Sequence, residues 1–208
     1  MINQKSFNYH FNNNFIENNY FVNSSNFNAF SGVIKNDFKN LFLYGPNKSG
    51  KSFLGQIWMK KNNAIRLNND LKIILDTKLN VLVDDLMNHN QEEIFYLVNN
   101  CILNNLKILI ISNTKINDIS FRYEDLSSRL KTFNSYEIEK PDDEMLITIL
   151  TKLLTEKQFI INSNEIFDYI LRRIDRSYQA VYEIVNKLDE ISLDKKRQLT
   201  IPLIKEIL

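Results

Sequence analysis

Short apolar runs alternate with segments whose apolar residues recur every three or four positions, from residue 41 to about residue 139. The run "LFLY" (41–44) ends in a Gly-Pro turn, as a buried strand does. "AIRL" (64–67), "LNVLVDD" (79–85), "LKILIIS" (106–112) and "SYEIE" (135–139) read the same way. Between them, residues 52–61 carry Phe53, Leu54, Ile57 and Trp58 on one helical stripe. Residues 91–105 carry Ile94, Phe95, Leu97, Val98, Cys101 and Ile102 on another. Strands alternating with helices predict a parallel sheet covered on both faces. Upstream, residues 22–35 predict a helix capped by Ser24 or Ser25, with Phe27, Phe30 and Val33 or Ile34 at helical spacing.

Beyond Lys140-Pro141 the strand pattern stops. Asp142 and Asp143 open a helix carrying Met145, Leu146, Ile149, Leu150 and Leu153, with acidic residues suited to its first turn. "SNEIFDYILRRI" (163–174) and residues 178–192 predict two more helices, and Thr200 caps a short last one with Pro202 in its first turn. The expected organisation is a polar, aromatic-studded arm over 1–18, an α/β domain with five parallel strands over 19–139, and a small all-helical domain over 140–208.

Composition narrows the class. The chain has 208 residues, 44% of them hydrophobic and 25% charged, as in a folded soluble protein. A net charge of +1 supplies no global pull toward nucleic acid or membrane. No basic start precedes an apolar run, and no run approaches the roughly 20 apolar residues of a membrane span, so a cytoplasmic location is expected. Cys101 alone excludes a disulfide framework, and with His10 and His89 it makes no convincing zinc set.

The strongest chemical signal follows the first strand. "GPNKSGKS" fits the strand–GxxxxGK[ST]–helix pattern with its structural context. Glycines let successive N–H groups curl around a polyphosphate, and the following helix adds its positive end. Gly45, Pro46, Asn47, Lys48, Ser49, Gly50, Lys51 and Ser52, with Phe53 behind them, form the candidate cofactor-binding segment for ATP or ADP. In it Lys51 would reach the β- and γ-phosphates and Ser52 would coordinate Mg²⁺. "LNVLVDD" delivers Asp84 to hold Mg²⁺ through water and Asp85 to orient or deprotonate an attacking water. Asp85 is equally suited to capping the next segment. Ser112 and Asn113, ending another strand, are placed to touch a γ-phosphate or the lytic water, or simply to begin a loop.

These pieces, in this order and followed by helices, resemble an AAA+ ATPase of the chromosomal replication initiator DnaA group, most like its short Hda-type regulators. "NYFVNSSNFNAF" (19–30) is similar to the group's adenine-wrapping segment, which implies base contacts from Phe21 and Val22. "LVDDL" is similar to its second nucleotide motif. "DLSSRLK" (125–131) resembles the box that ends in an arginine finger, which makes Arg129 that finger; otherwise Arg129 is one surface arginine among several. "TIPLIKEIL" resembles the C-terminal close of the Hda type. Where the group's lid carries a sensor arginine this sequence has Gln179, with Arg176 nearly one turn earlier as a substitute. Arg172, Arg173 and Arg176 read as a DNA-contacting cluster or as lid and solvent residues. With no helical insertion before the Asp-Asp strand, and no helix-turn-helix domain after the lid, no direct sequence-specific DNA binding is expected.

The resemblance implies a regulator that makes the initiator DnaA hydrolyse its ATP through Arg129, with weak hydrolysis of its own. The alternative is a nucleotide-gated adaptor or helicase-loader-like protein without stimulation. A third reading, a small-molecule kinase, leaves the helical domain unexplained. Implied partners are DnaA, the replicative sliding clamp through Gln4, Phe7 and Tyr9 in "NQKSFNYHF", and a second copy of the chain as a homo-oligomer.

Overall fold

The central apolar runs form strands because each is short, rich in Leu, Ile, Val or Phe, and covered on both sides, while the two edge runs are more polar. The computed structural model describes residues 15–16, 20–35, 37–67, 71–161, 163, 165–195 and 199–208. The candidate clamp segment with Gln4, Phe7 and Tyr9 lies outside them. β1 (Phe15–Ile16) and β2 (Tyr20–Phe21) make a small antiparallel pair ahead of α1 (Phe27–Phe30), which continues into a π-helical turn, Ser31–Lys35. The main sheet holds β3 (Asn40–Tyr44), β4 (Ala64–Arg66), β5 (Asn80–Val83), β6 (Ile108–Ser112) and β7 (Asn134–Glu137). Its order is β4-β5-β6-β3-β7, and each neighbouring pair is parallel. All five strands therefore end at one edge.

Alternation along each strand divides the core. Phe42, Val81, Val83, Ile108 and Ile110 face α3 (Leu71–Thr77), α4 (Gln91–Leu103) and α5 (Glu124–Leu130). Leu41, Leu43, Leu82, Leu109 and Ile111 face α1, the π turn and α2 (Lys51–Lys61), where Trp58 is 1% exposed. α2 lies close to the sheet because residue 55 is glycine. A Cβ there would stand 2.8 Å from Cδ1 of Ile111 and 3.2 Å from Cδ1 of Leu82.

A third core belongs to the C-terminal helices α6 (Asp143–Glu156), α7 (Glu165–Leu171), α8 (Tyr178–Lys195) and α9 (Ile201–Lys205). Leu146, Leu150, Ile170, Val181 and Leu188 fill it. Among the described residues no helix is long and apolar enough to cross a membrane.

Two expectations change. Neither Ser24 nor Ser25 caps α1. That helix begins at Phe27 after Asn26, which makes no side-chain cap bond. Ser24 Oγ donates instead to Asp142 Oδ2 at 2.8 Å, and Ser25 Oγ to Asn23 Oδ1 at 2.7 Å. Residues 68–78, between "AIRL" and "LNVLVDD" and given no element by the sequence pattern, contain α3, and "DLSSRL" lies within helix α5.

Candidate nucleotide-binding site

The loop from Gly45 to Gly50 leaves the end of β3, which lies beside β6. Asp84 follows β5, and Ser112 and Asn113 sit at the end of β6, so the sheet's single C-terminal edge gathers the phosphate-loop residues with both candidate polar pairs. Residues 47–53 line, with both pairs, a cavity of about 520 Å³ that also receives Gln179 and Tyr182 from α8, whereas Gly45 and Pro46 lie outside its lining. Gly50 caps α2 with φ at 88°, a left-handed turn that favours glycine, and a Cβ there would meet the Tyr20 ring at 3.1 Å. The first residues of α2, Lys51 and Ser52, line the cavity beside this turn.

Lys51 is buried at the base of the loop. Its Nζ donates to the carbonyl oxygens of Gly45 at 2.8 Å and Pro46 at 2.5 Å. Burial lowers its ammonium to about 8, opposed by the nearby charges of Asp85 and Asp84. The neighbouring Ser52 Oγ donates to Asp84 Oδ1 at 2.8 Å, and Arg66 pairs with Asp84 Oδ2 at 3.2 Å. Hydroxyl and carboxylate thus stand side by side, a hard-oxygen pair of the sort Mg²⁺ accepts when phosphate oxygens and water complete its shell. Among the described residues no cluster of three or more His, Cys, Asp or Glu is placed to hold a metal unaided.

Asp85 lines the cavity but is also engaged as a cap. It has φ at 68°, accepts from Met87 N at 3.3 Å, and accepts from Asn88 Nδ2 at 3.0 Å. Asn113 is exposed on the cavity wall, whereas Ser112 is buried and accepts from Thr114 N.

A smaller, largely apolar cavity of about 130 Å³ adjoins the first; Lys48, Ser49, Gly50, Phe53 and Tyr182 line both. Phe21, Tyr20 and Asn26 form one wall, and Met145, Ile149 and Tyr178 from the C-terminal helices form the other. Tyr20 stacks on Phe53 with ring centroids 5.8 Å apart, and its buried hydroxyl has no hydrogen-bond partner. Asn26 fixes the first wall by donating to the Phe21 carbonyl at 2.8 Å and accepting from Asn23 N at 2.9 Å.

The expected contact residues divide. Phe21, Lys48, Phe53 and Gln179 face one or both cavities. Val22 lines neither and packs into the core beside α1. Arg176 does not reach the cleft: it is exposed and paired with Asp143. Gln179 donates to Glu183 Oε1 at 2.8 Å. Tyr20, Asn26, Met145, Ile149, Tyr178 and Tyr182 were not among the expected contacts. The signal for two of them was present in the sequence, since Tyr178 and Tyr182 are four apart on the face beside Gln179.

One carboxylate clasps the two walls together. Asp142 caps α6 by accepting from Met145 N at 2.8 Å, and it also accepts from Asn23 Nδ2 at 2.8 and 3.0 Å and from Ser24 Oγ. Burial pushes its carboxyl up, but these donors outweigh that and hold it below its ordinary value. Asp142→Ala is expected to cost about 2 kcal/mol by losing a cap and a charge-assisted clasp. Asp142→Asn keeps most of the cap and is expected to cost about half as much. A depressed carboxyl adds stability above its unfolded pKa and loses it as pH falls through the folded one. In thermal unfolding, the gap between wild type and Asp142→Ala should therefore be full at neutral pH and close toward strongly acidic pH. A gap independent of pH would remove the carboxylate from this role.

Arg129 stands apart from both cavities. It is exposed on α5, with its guanidinium 5.8 Å from the centroid of the Phe95 ring.

A phosphate loop at the C-terminal edge of a five-stranded parallel sheet, roofed by a small helical domain, defines an AAA+ P-loop fold. Residues 143–208 match the family model described as "Hda, lid domain". The chain is 26% identical over 208 residues to the chromosomal replication initiator protein DnaA of Buchnera aphidicola subsp. Cinara cedri, covering 86% of this chain and 47% of that one. Domain III of Thermotoga maritima DnaA superposes with a TM-score of 0.77 at 18% identity, covering 95% of this chain and 96% of that one. AMPPCP-bound DnaA from Aquifex aeolicus gives 0.66 at 18% identity, over 87% and 66%. The chain is thus similar to DnaA proteins in sequence, has the fold of DnaA domain III, and carries residues similar to an Hda lid at 143–208. It spans about half the length of the curated relatives it matches.

Proposed function

We propose that this chain is a nucleotide-binding, Hda-like regulator of chromosome replication initiation that offers Arg129 to an ATP-bound DnaA and so promotes hydrolysis in the partner's site. The position of Arg129 carries this reading: an exposed guanidinium remote from its own cleft serves a phosphate held by another molecule. An arginine in that place neutralises charge that grows on the transferred phosphoryl group, so it stabilises the transition state more than the ground state.

The cleft supplies the other half of the argument. Its apolar annex suits an adenine and its amide-lined cavity suits a di- or triphosphate, as the AMPPCP bound to the Aquifex protein illustrates for that relative. Lys51 would leave the Gly45 and Pro46 carbonyls for phosphate oxygens. Ser52 and Asp84 would hold Mg²⁺, which when bound neutralises phosphate charge. Asp85 and Asn113 would approach the γ-phosphate, and Gln179 would contact it from the lid without adding charge. The engagement of Asp85 as a cap favours slow hydrolysis in the chain's own site, leaving the bound nucleotide to set conformation. The remaining proposals are a cytoplasmic location, lid and α/β domains meeting near residue 140, and docking on the sliding clamp through Gln4, Phe7 and Tyr9.

Calorimetric titration with ADP and with ATP, each with magnesium, tests the cleft, and a saturable signal is expected. Adding the full chain to ATP-loaded DnaA should then speed phosphate release. Binding without stimulation would instead favour the adaptor reading; no binding would end both.

A further inference from the structure

Six described residues other than glycine have positive φ. Asn63, Lys78, Asn105 and Gln158 each follow a helix end, where a left-handed residue is a routine stop. The other two, Lys48 with φ at 62° and Asp85, face the cleft. Lysine has neither glycine's freedom nor the local hydrogen bonding that lets Asn or Asp adopt this conformation. A left-handed residue in this loop turns successive N–H groups inward, so the φ serves the backbone, and what calls for explanation is that the residue is a lysine.

The surroundings of Lys48 indicate a use for its side chain. Its Nζ lies 5.5 Å from the centroid of the Tyr182 ring on α8, which ties loop to lid. A second contact crosses the cleft the opposite way, from Lys152 Nζ on α6 to the ring of Phe53 on α2 at 5.8 Å. Of the described residues lining the larger cavity, Lys48 from the loop and Lys51 from the first turn of α2 carry the positive charge; the lid contributes the neutral Gln179 and Tyr182. Lys48 also lines both cavities, at the junction where a nucleotide's base would give way to its phosphates.

We propose that the Lys48 ammonium is shared between two acceptors, the face of Tyr182 and the phosphate chain of a bound nucleotide, so that phosphate binding releases α8 from the loop. The proposal rests on nucleotide binding in this cleft and deepens it into a regulation of the lid. A phosphate oxygen is the stronger acceptor for an ammonium, so a polyphosphate wins the exchange, whereas adenosine leaves the ring contact in place. Lys48 thereby acts from the loop in the part that the uncharged Gln179 cannot play from the lid.

The test is a set of titrations on the full-length chain with adenosine, ADP, ATP and inorganic tripolyphosphate in magnesium. Lys48→Gly removes the ammonium and the backbone strain together. It is expected to raise the melting temperature while weakening ADP, ATP and tripolyphosphate about fivefold or more relative to adenosine. Tyr182→Leu removes the competing ring and should tighten ADP and ATP about threefold, with Tyr182→Phe staying nearer wild type because its ring persists. In Lys48→Gly/Tyr182→Leu the gain should vanish, since there is no longer a cation to free. The exchange is refuted if Lys48→Gly binds polyphosphates as wild type does, or if Tyr182→Leu tightens binding equally with and without Lys48. Failure of the wild-type chain to bind any nucleotide would instead end the reading beneath it as well.

Discussion

In the proposed finger role, Arg129→Ala is expected to lower stimulation of DnaA's ATP hydrolysis by about three orders of magnitude or more, the scale on which arginine fingers act. Nothing comparable should happen to the fold. The side chain is exposed, and its contact with the Phe95 ring is worth about 0.5–1 kcal/mol. The melting temperature should therefore drop by no more than a few degrees, and nucleotide binding in the chain's own cleft should persist. Arg129→Lys tests geometry against charge. An ammonium preserves the charge but loses the planar fork, so recovery should be partial. Single-turnover hydrolysis by labelled, ATP-loaded DnaA provides the measurement. An alanine variant that stimulates as well as wild type would show that the chain acts without this residue.

Lys51→Ala is expected to weaken ADP and ATP by about a hundredfold or more, because it removes a charge-assisted partner of the phosphates from an enclosed site. Its effect on stability is expected to be small despite the burial of the side chain. A lysine lowered to about 8 is destabilised in its charged form by the fold. The unfolded chain holds this proton more tightly, so the residue's contribution becomes more favourable as pH rises from about 8 toward the lysine's ordinary value. A bound polyanion reverses that bias by favouring the ammonium. Nucleotide binding above about pH 8 should then draw in a proton, visible as a binding enthalpy that depends on the buffer's ionisation heat. The buffer dependence should be absent in Lys51→Met, where any residual binding is measurable at high ligand concentration. Equal proton uptake by both proteins would assign it elsewhere.

The sheet's parallel character was legible because β3, β5 and β6 lie within short apolar runs separated by helical patterns, and its edges were legible in part. "AIRL" and "SYEIE" break their apolar runs with charged residues, and these strands lie at the two edges, β4 and β7. β6, with only Ile, Leu and Ser112, lies inside and is buried throughout. Helix α3 was obscured by period. "LKIIL" serves equally as a strand, and only tertiary contact selects the helical face with Leu71, Ile74 and Leu75 against the sheet. The phosphate loop was legible because its chemistry is local. The apolar annex was not, because its second wall comes from Met145, Ile149 and Tyr178, more than 120 residues beyond Tyr20. Ser24 is no cap because α1 begins only at Phe27, and its hydroxyl donates instead to Asp142, 118 positions away.

The missing side chain at residue 55 sets more than packing density. Helix α2 rests there on Leu82 and Ile111 as a beam rests on a pivot, with the anion cradle carried at its near end. A single added carbon would press on the methyl ends of Ile111 and Leu82, and whatever those side chains do not absorb by turning aside is passed along the helix to the loop at its start. The seat of this helix on the sheet, and with it the position of the loop at its start, is thus set from the hydrophobic interior by a side chain that is not there.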